Sequence, residues 1–96
     1  MIYHITTAQD WESKRDEPGF IPVDYHKEGF IHCCSDTQLA GVLERYFNSK
    51  TGLVLLHLNE LKLKAELKYE KSTNDEKFPH LYGPINHDAI IDVVPI

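Results

Sequence analysis

Three of the six histidines lie in short runs of aromatic and aliphatic residues. The runs are Tyr3-His4-Ile5-Thr6, Glu28-Gly29-Phe30-Ile31-His32-Cys33 and Phe78-Pro79-His80-Leu81-Tyr82-Gly83-Pro84. An imidazole in an extended apolar context loses hydration unless it finds a partner. Three in matching contexts point to one shared polar site. A neutral imidazole donates one hydrogen bond and accepts another, which suits ribose hydroxyls. A protonated one stabilises phosphate or developing negative charge, and histidine is the usual general acid or base near neutral pH. Around these residues, Thr6 shares the face of His4, Cys34 falls near the middle histidine, Tyr82 offers a ring for stacking or packing, and Gly83 permits close backbone approach to a ligand or simply forms a turn.

The remaining candidates have plainer readings. Phe30 is expected to pack. His26 and His87 sit in polar stretches and are expected to be solvated, whereas His57 interrupts an apolar run as a hydrogen-bonded core histidine. Cys33 follows His32 directly, so on a strand it faces the opposite way and packs inside. Glu28 is expected at the surface, within reach of an ion pair or a ligand. A zinc site built from the three histidines ranks last among the readings, because no helical His-x-x-x-His spacing is present, and no metal is predicted.

The elements that must position these residues follow from hydrophobic period and capping signals. Ile2 to Thr6 alternates as a strand. Thr7-Ala8-Gln9-Asp10 starts a helix expected to run to about Glu17, anchored by Trp11 and stopped by Pro18-Gly19. Phe20 to Lys27 reads as an irregular connection, Glu28-Gly29 as a turn and Phe30 to Cys33 as one short strand. Ser35-Asp36-Thr37-Gln38 is a second capping box. The Leu39, Val42, Leu43, Tyr46 and Phe47 face that follows predicts a helix ending near Asn48. Leu53 to Leu58 has the continuous apolar run of a strand buried on both faces. Leu61 to Leu63 is a helical turn, Glu66 to Glu70 a partly exposed strand, and Ser72 to Lys77 a surface loop around Asn74-Asp75. Phe78 to Gly83 is extended, and Ala89 to Val94 a terminal strand whose apolar density suggests a central place. This order predicts one α+β domain over residues 1–96, with two main helices on a small mixed or antiparallel sheet.

Bulk composition narrows the function classes. A net charge of −5, with ten Lys and Arg against fifteen carboxylates, leaves no basic patch for long nucleic acid. No apolar run approaches the length needed to span a bilayer, and the opening residues lack a signal-peptide pattern. Adjacent Cys33 and Cys34 are too close for relaxed disulfide geometry and read as reduced thiols. A cytoplasmic monomer is therefore expected, with room for a single small ligand.

The three quoted motifs, in this order and over nearly the whole chain, closely resemble the bacterial family designated domain of unknown function 952. Gln38, Leu53 to Leu56, Tyr69 and Glu70 also fit its pattern. Two positions depart from it. Cys34 stands where the family carries serine, and Asn59-Glu60 where Asp-Pro is frequent. The resemblance implies a split sheet similar to the ADP-ribosyltransferases, nearest to the RNA 2′-phosphotransferases, with NAD held in a cleft. By that resemblance His4 contacts the nicotinamide-side ribose, with Thr6, Cys34, Tyr82 and Gly83 as further binding residues, and His32 and His80 as catalytic ones. Glu70 has two readings, a substitute for the glutamate missing from the last motif strand and, with at least equal weight, a role in loop structure. The implied activity is a transferase or hydrolase directed at NAD or ADP-ribose. The absent glutamate and the presence of only Arg15 and Arg45 favour the alternative, a non-catalytic nucleotide-binding module.

Overall fold

A computed structural model describes residues 1–72 and 75–96. The first strand, β1 (Ile2–Thr7), runs straight into α1 (Ala8–Lys14). Thr7 Oγ1 accepts from the Asp10 amide at 3.0 Å, so the threonine caps the helix as its position predicts. The helix is shorter than expected and closes at Arg15. Trp11 anchors it, meeting Phe20 edge-on at 5.3 Å.

The stretch expected to be irregular contains two elements. β2 (Gly19–Phe20) buries Phe20, and α2 (Tyr25–Glu28) is a single helical turn ended by Gly29 at φ 85°. That left-handed value suits glycine and places the turn where Glu28-Gly29 predicts it.

The strand expected over Phe30 to Cys33 is two strands in different sheets. β3 (Ile31–His32) and β4 (Cys34–Ser35) flank Cys33, whose amide donates to the Pro79 carbonyl at 3.0 Å. Half of the second capping box forms: the Ser35 amide donates to Gln38 Oε1 at 3.0 Å. The helix itself, α3 (Leu39–Tyr46), begins after Gln38. Its Leu39, Val42, Leu43 and Phe47 pack on Ile5, Leu53 and Leu55.

β5 (Leu53–Leu58) has apolar side chains on both faces because both are covered. Leu53 and Leu55 meet α3, while Val54, Leu56 and Leu58 enter the main core with Ile2, Trp11, Phe20, Ile31 and Leu81. A 3₁₀ turn at Glu60–Lys62 leads to β6 (Glu66–Lys71) and β7 (Lys77–Tyr82). Of the surface loop expected over residues 72–77, Thr73 and Asn74 lie outside the described residues. β8 (Ile85–Asn86), a second 3₁₀ turn and β9 (Ile90–Pro95) complete the chain.

All described pairings are antiparallel, which selects that half of the mixed-or-antiparallel expectation. The sheets have orders β4-β1-β5-β9, β2-β8 and β3-β7-β6. β9 is thus an edge strand with Ile91 exposed, contrary to the central place its apolar density suggests. The architecture is α+β, with three helices among the described residues. No described helix is long and apolar enough to cross a membrane.

Candidate active site

The site forms where β1 of the larger sheet meets β3 of the three-stranded one. Among the described residues β4 pairs only with Ile2 and Tyr3, so the flank of β1 from His4 to Thr7 has no described strand partner on that side. A cleft of about 660 Å³ opens there, lined by His4, Thr6, His32 and Cys34 together with residues of α2 and α3. Its volume lies in the usual range for small-molecule sites.

Alternation on β1 sends His4 to the core face with Ile2 and Thr6. The ring lies 6.2 Å from Phe20, and His4 Nδ1 donates to the His32 carbonyl at 2.7 Å. Burial lowers the pKa of His4 from 6.5 to about 4, against the opposing influence of that carbonyl. The ring is therefore neutral at pH 7. Because a carbonyl only accepts, the proton sits on Nδ1 and Nε2 carries a lone pair. His4 Nε2 is buried and has no partner among the described residues.

His32 and His80 are register partners across β3 and β7, with ring centroids 5.4 Å apart. His32 is exposed at the cleft, its Nε2 3.7 Å from Glu28 Oε2. His80 is buried and does not line the cleft. Phe30 stacks on it at 4.1 Å between ring centroids and itself lines the cleft. Behind the ring, His80 Nδ1 donates to Glu70 Oε1 at 3.0 Å, and the Tyr82 hydroxyl donates to the same oxygen. These two donors hold the Glu70 carboxyl below its usual range, Tyr82 first and His80 second. His80 Nε2, like that of His4, is buried without a partner among the described residues.

Glu70 thus fixes the His80 tautomer from behind, in the way a carboxylate orients the imidazole of a catalytic or metal-binding histidine. The expected result is an Nδ1–H tautomer at His80 in long-range proton–nitrogen NMR. In Glu70→Ala the proton should move to Nε2. An Nε2–H signal in the unmodified protein would count against the assignment.

The other expected site residues separate into two groups. Thr6 and Cys34 stand at the cleft wall with His4 and His32. The Cys34 thiol is pushed up to about 11, first by burial and then by Asp36, so it is neutral at pH 7 and no ready nucleophile. Cys33 is buried in the core, as strand alternation predicts, and both cysteines are free thiols. Tyr82 and Gly83 do not reach the cleft. The Tyr82 ring lies 5.1 Å from Lys68 Nζ. Gly83, at φ 153°, is required by packing: a Cβ there would stand 2.7 Å from Ala65 Cβ. Close approach to a neighbouring residue is reason enough for that glycine.

Several roles escaped the residue patterns. Phe30, expected above all to pack and otherwise to stack on a ligand ring, packs against a site histidine while also lining the cleft. α2 and the residue capping it deliver Asp24, Tyr25 and Glu28, and Lys50 adds a cation. The surface reading of Glu28 holds, with His32 as its neighbour. The Gly29 signal marks the end of this turn, but four residues are too few to show helical period. His26 is exposed as expected. His87 is not merely solvated, since its Nε2 donates to the Glu17 carbonyl at 2.6 Å. His57 packs edge-on to Tyr3 at 4.9 Å. Among the described residues, no group of three or more His, Cys, Asp or Glu side chains is placed to hold a metal ion.

Solved structures share this fold. The crystal structure of protein CC0527 from Caulobacter crescentus is 27% identical, with a TM-score of 0.88, covering 98% of this chain and 83% of that one. A crystal structure of its double mutant is 26% identical, with the same TM-score and coverages of 98% and 83%. The solution NMR structure of CC0527 is 27% identical, with a TM-score of 0.84 and coverages of 99% and 83%. No curated protein matches the chain. The sequence profile of the family described as protein of unknown function (DUF952) matches residues 5–93, and the chain belongs to that family.

Proposed function

We propose that the cleft binds a nucleotide of the NAD or ADP-ribose type, and that the protein is an ADP-ribosyltransferase-like transferase or hydrolase acting on it. The observation that carries this reading is the lone pair on His4 Nε2, buried and without a partner among the described residues, on a side chain that lines the cleft. A buried acceptor without a donor is costly, and a ribose hydroxyl supplies the missing hydrogen. Thr6 adds a second polar group on the same strand face. His32, exposed and beside Glu28, is the group placed to exchange a proton with a ligand. His80, held from behind by Glu70, serves as the second base once the Phe30 ring moves off it.

The position of His80 behind Phe30 favours a second reading, a nucleotide-binding module without turnover. NMR titration with NAD and with ADP-ribose, followed by an assay for released nicotinamide, separates the two. The expected result is saturable shifts at His4 and His32, with affinity weakened about tenfold in His4→Ala, the order of one lost hydrogen bond. Product formation selects the enzyme, and binding without product selects the module. Dispersed spectra with no shifts from either nucleotide would remove both.

A further inference from the structure

In an antiparallel sheet, one residue turns its N–H and C=O to one neighbouring strand and the next residue turns them to the other. The Ala8 amide donates to the Gly52 carbonyl at 2.8 Å, in line with the pairing of Thr7 with Leu53 and Thr6 with Val54. The even-numbered residues of β1 therefore turn to β5, and Tyr3, Ile5 and Thr7 turn the other way. There Tyr3 meets Cys34 of β4, and no described strand stands opposite Ile5 or Thr7. Tyr3 to Thr7 line the cleft without a gap although their side chains alternate, so the main chain itself faces it. Ile5 is only 8% exposed, and buried backbone groups rarely stay unpaired. The other long edges among the described strands are closed to pairing. On β9 the Ile96 amide donates to the Leu53 carbonyl, so Val93 and Pro95 turn outward. The Val93 amide is already taken by Asp92 Oδ1 at 2.8 Å, and Pro95 has no N–H. β6 carries Glu66, Lys68, Glu70 and Lys71, the kind of charge that keeps a free edge from pairing.

We propose that β1 accepts an extended peptide from another protein, which enters the cleft as a further antiparallel strand in line with β4. Ile5 and Thr7 are two residues apart, about 7 Å along a strand, the interval at which such a peptide presents its next N–H and C=O pair. A strand in this place points alternate side chains at two unlike walls. On the face of Ile5 stand Val42, Phe47 and Leu53, and on the face of His4 and Thr6 stands His32. The segment that fits therefore alternates apolar and polar residues. Main-chain pairing supplies its affinity and the alternate side chains its selectivity. A second copy of this chain has no long edge strand to offer, because β6 is charged and β9 is blocked. Pairing of this kind uses the β1 main chain and is independent of the nucleotide reading, which uses the His4 ring.

Two capped pentapeptides serve as probes, one alternating valine with threonine and one alternating valine with lysine. Each is added to isotope-labelled protein and followed by amide shifts and amide hydrogen exchange. In the free protein the Ile5 and Thr7 amides should exchange at least about tenfold faster than those of His4 and Thr6, which turn to β5. At least one peptide should give saturable shifts at Ile5 and Thr7, with Kd below about 1 mM, and slow both amides to the rate of their neighbours. Methylating the bonding amide nitrogens of that peptide keeps its side chains and should weaken binding about tenfold. Equal protection of all four amides in the free protein overturns the open edge. Binding that leaves exchange at Ile5 and Thr7 unchanged, or that tolerates methylation, overturns strand addition, as does binding of neither peptide. Slowing that appears without peptide as protein concentration rises makes a second copy the occupant and overturns the peptide assignment. Shifts at His4 and His32 with NAD report on the nucleotide reading separately, so either can fail alone.

Discussion

Acidification from pH 7.5 to 4.5 is expected to remove about 2–3 kcal/mol of folding stability through His4 alone. Unfolded, this imidazole titrates near 6.5; folded, burial lowers the value to about 4. Above 6.5 the ring is neutral in both states and contributes no pH dependence. As the pH falls, the unfolded chain takes up a proton that the folded chain refuses, so stability declines through the window from 6.5 down to 4. Below it both states are protonated and the loss levels off. Urea unfolding at the two pH values measures the difference, and His4→Gln should remove most of this component. An unchanged pH dependence in that variant would show that other groups control acid sensitivity. Occupation of the cleft by a ligand that needs the neutral ring should steepen the dependence further, because binding and protonation then compete for one lone pair.

Phe20→Ala is expected to cost about 3–5 kcal/mol, the range for removing a large aromatic side chain from a closed core. Phe20 is 0% exposed, meets Trp11 edge-on and flanks His4. It is also half of β2, which pairs with β8 through Gly19↔Asn86 and Phe20↔Ile85. The cavity therefore opens where α1, the short β2–β8 pair and the site histidine converge. Phe20→Leu should recover much of the loss by refilling volume. A cost below about 1 kcal/mol for the alanine variant would mean that the surrounding chains collapse around the gap.

Much of the frame could be read from residue patterns, because its signals are local. Strand alternation places His4, the run Leu53 to Leu58 marks the strand covered on both faces, and Thr7 caps α1 as its position predicts. What stayed hidden depends on distant partners. Phe30 to Cys33 has the composition of one strand, and only pairing with β7 on one side and β1 on the other divides it. Ile90, Ile91, Val93 and Val94 have the density of an inner strand, but the sheet order leaves β9 at the edge. The three motif histidines converge more loosely than their contexts suggest. His4 and His32 reach the cleft, whereas His80 stays behind Phe30, an arrangement set by ring stacking that strand periodicity does not encode. Tyr82 and Gly83 belonged to the most distinctive motif, yet they support a carboxylate and a tight packing contact outside the cleft.

The passage of residues 31–35 from one sheet to the other makes those five residues a mechanical coupling. Within this span, the His32 carbonyl ties to β1 and the Cys33 amide to β7. Neither sheet can slide along its own strands without pulling on bonds that belong to the other. Shear between the halves is therefore resisted at the same point where His32 enters the cleft, and a ligand that wedges the cleft apart loads this crossing first.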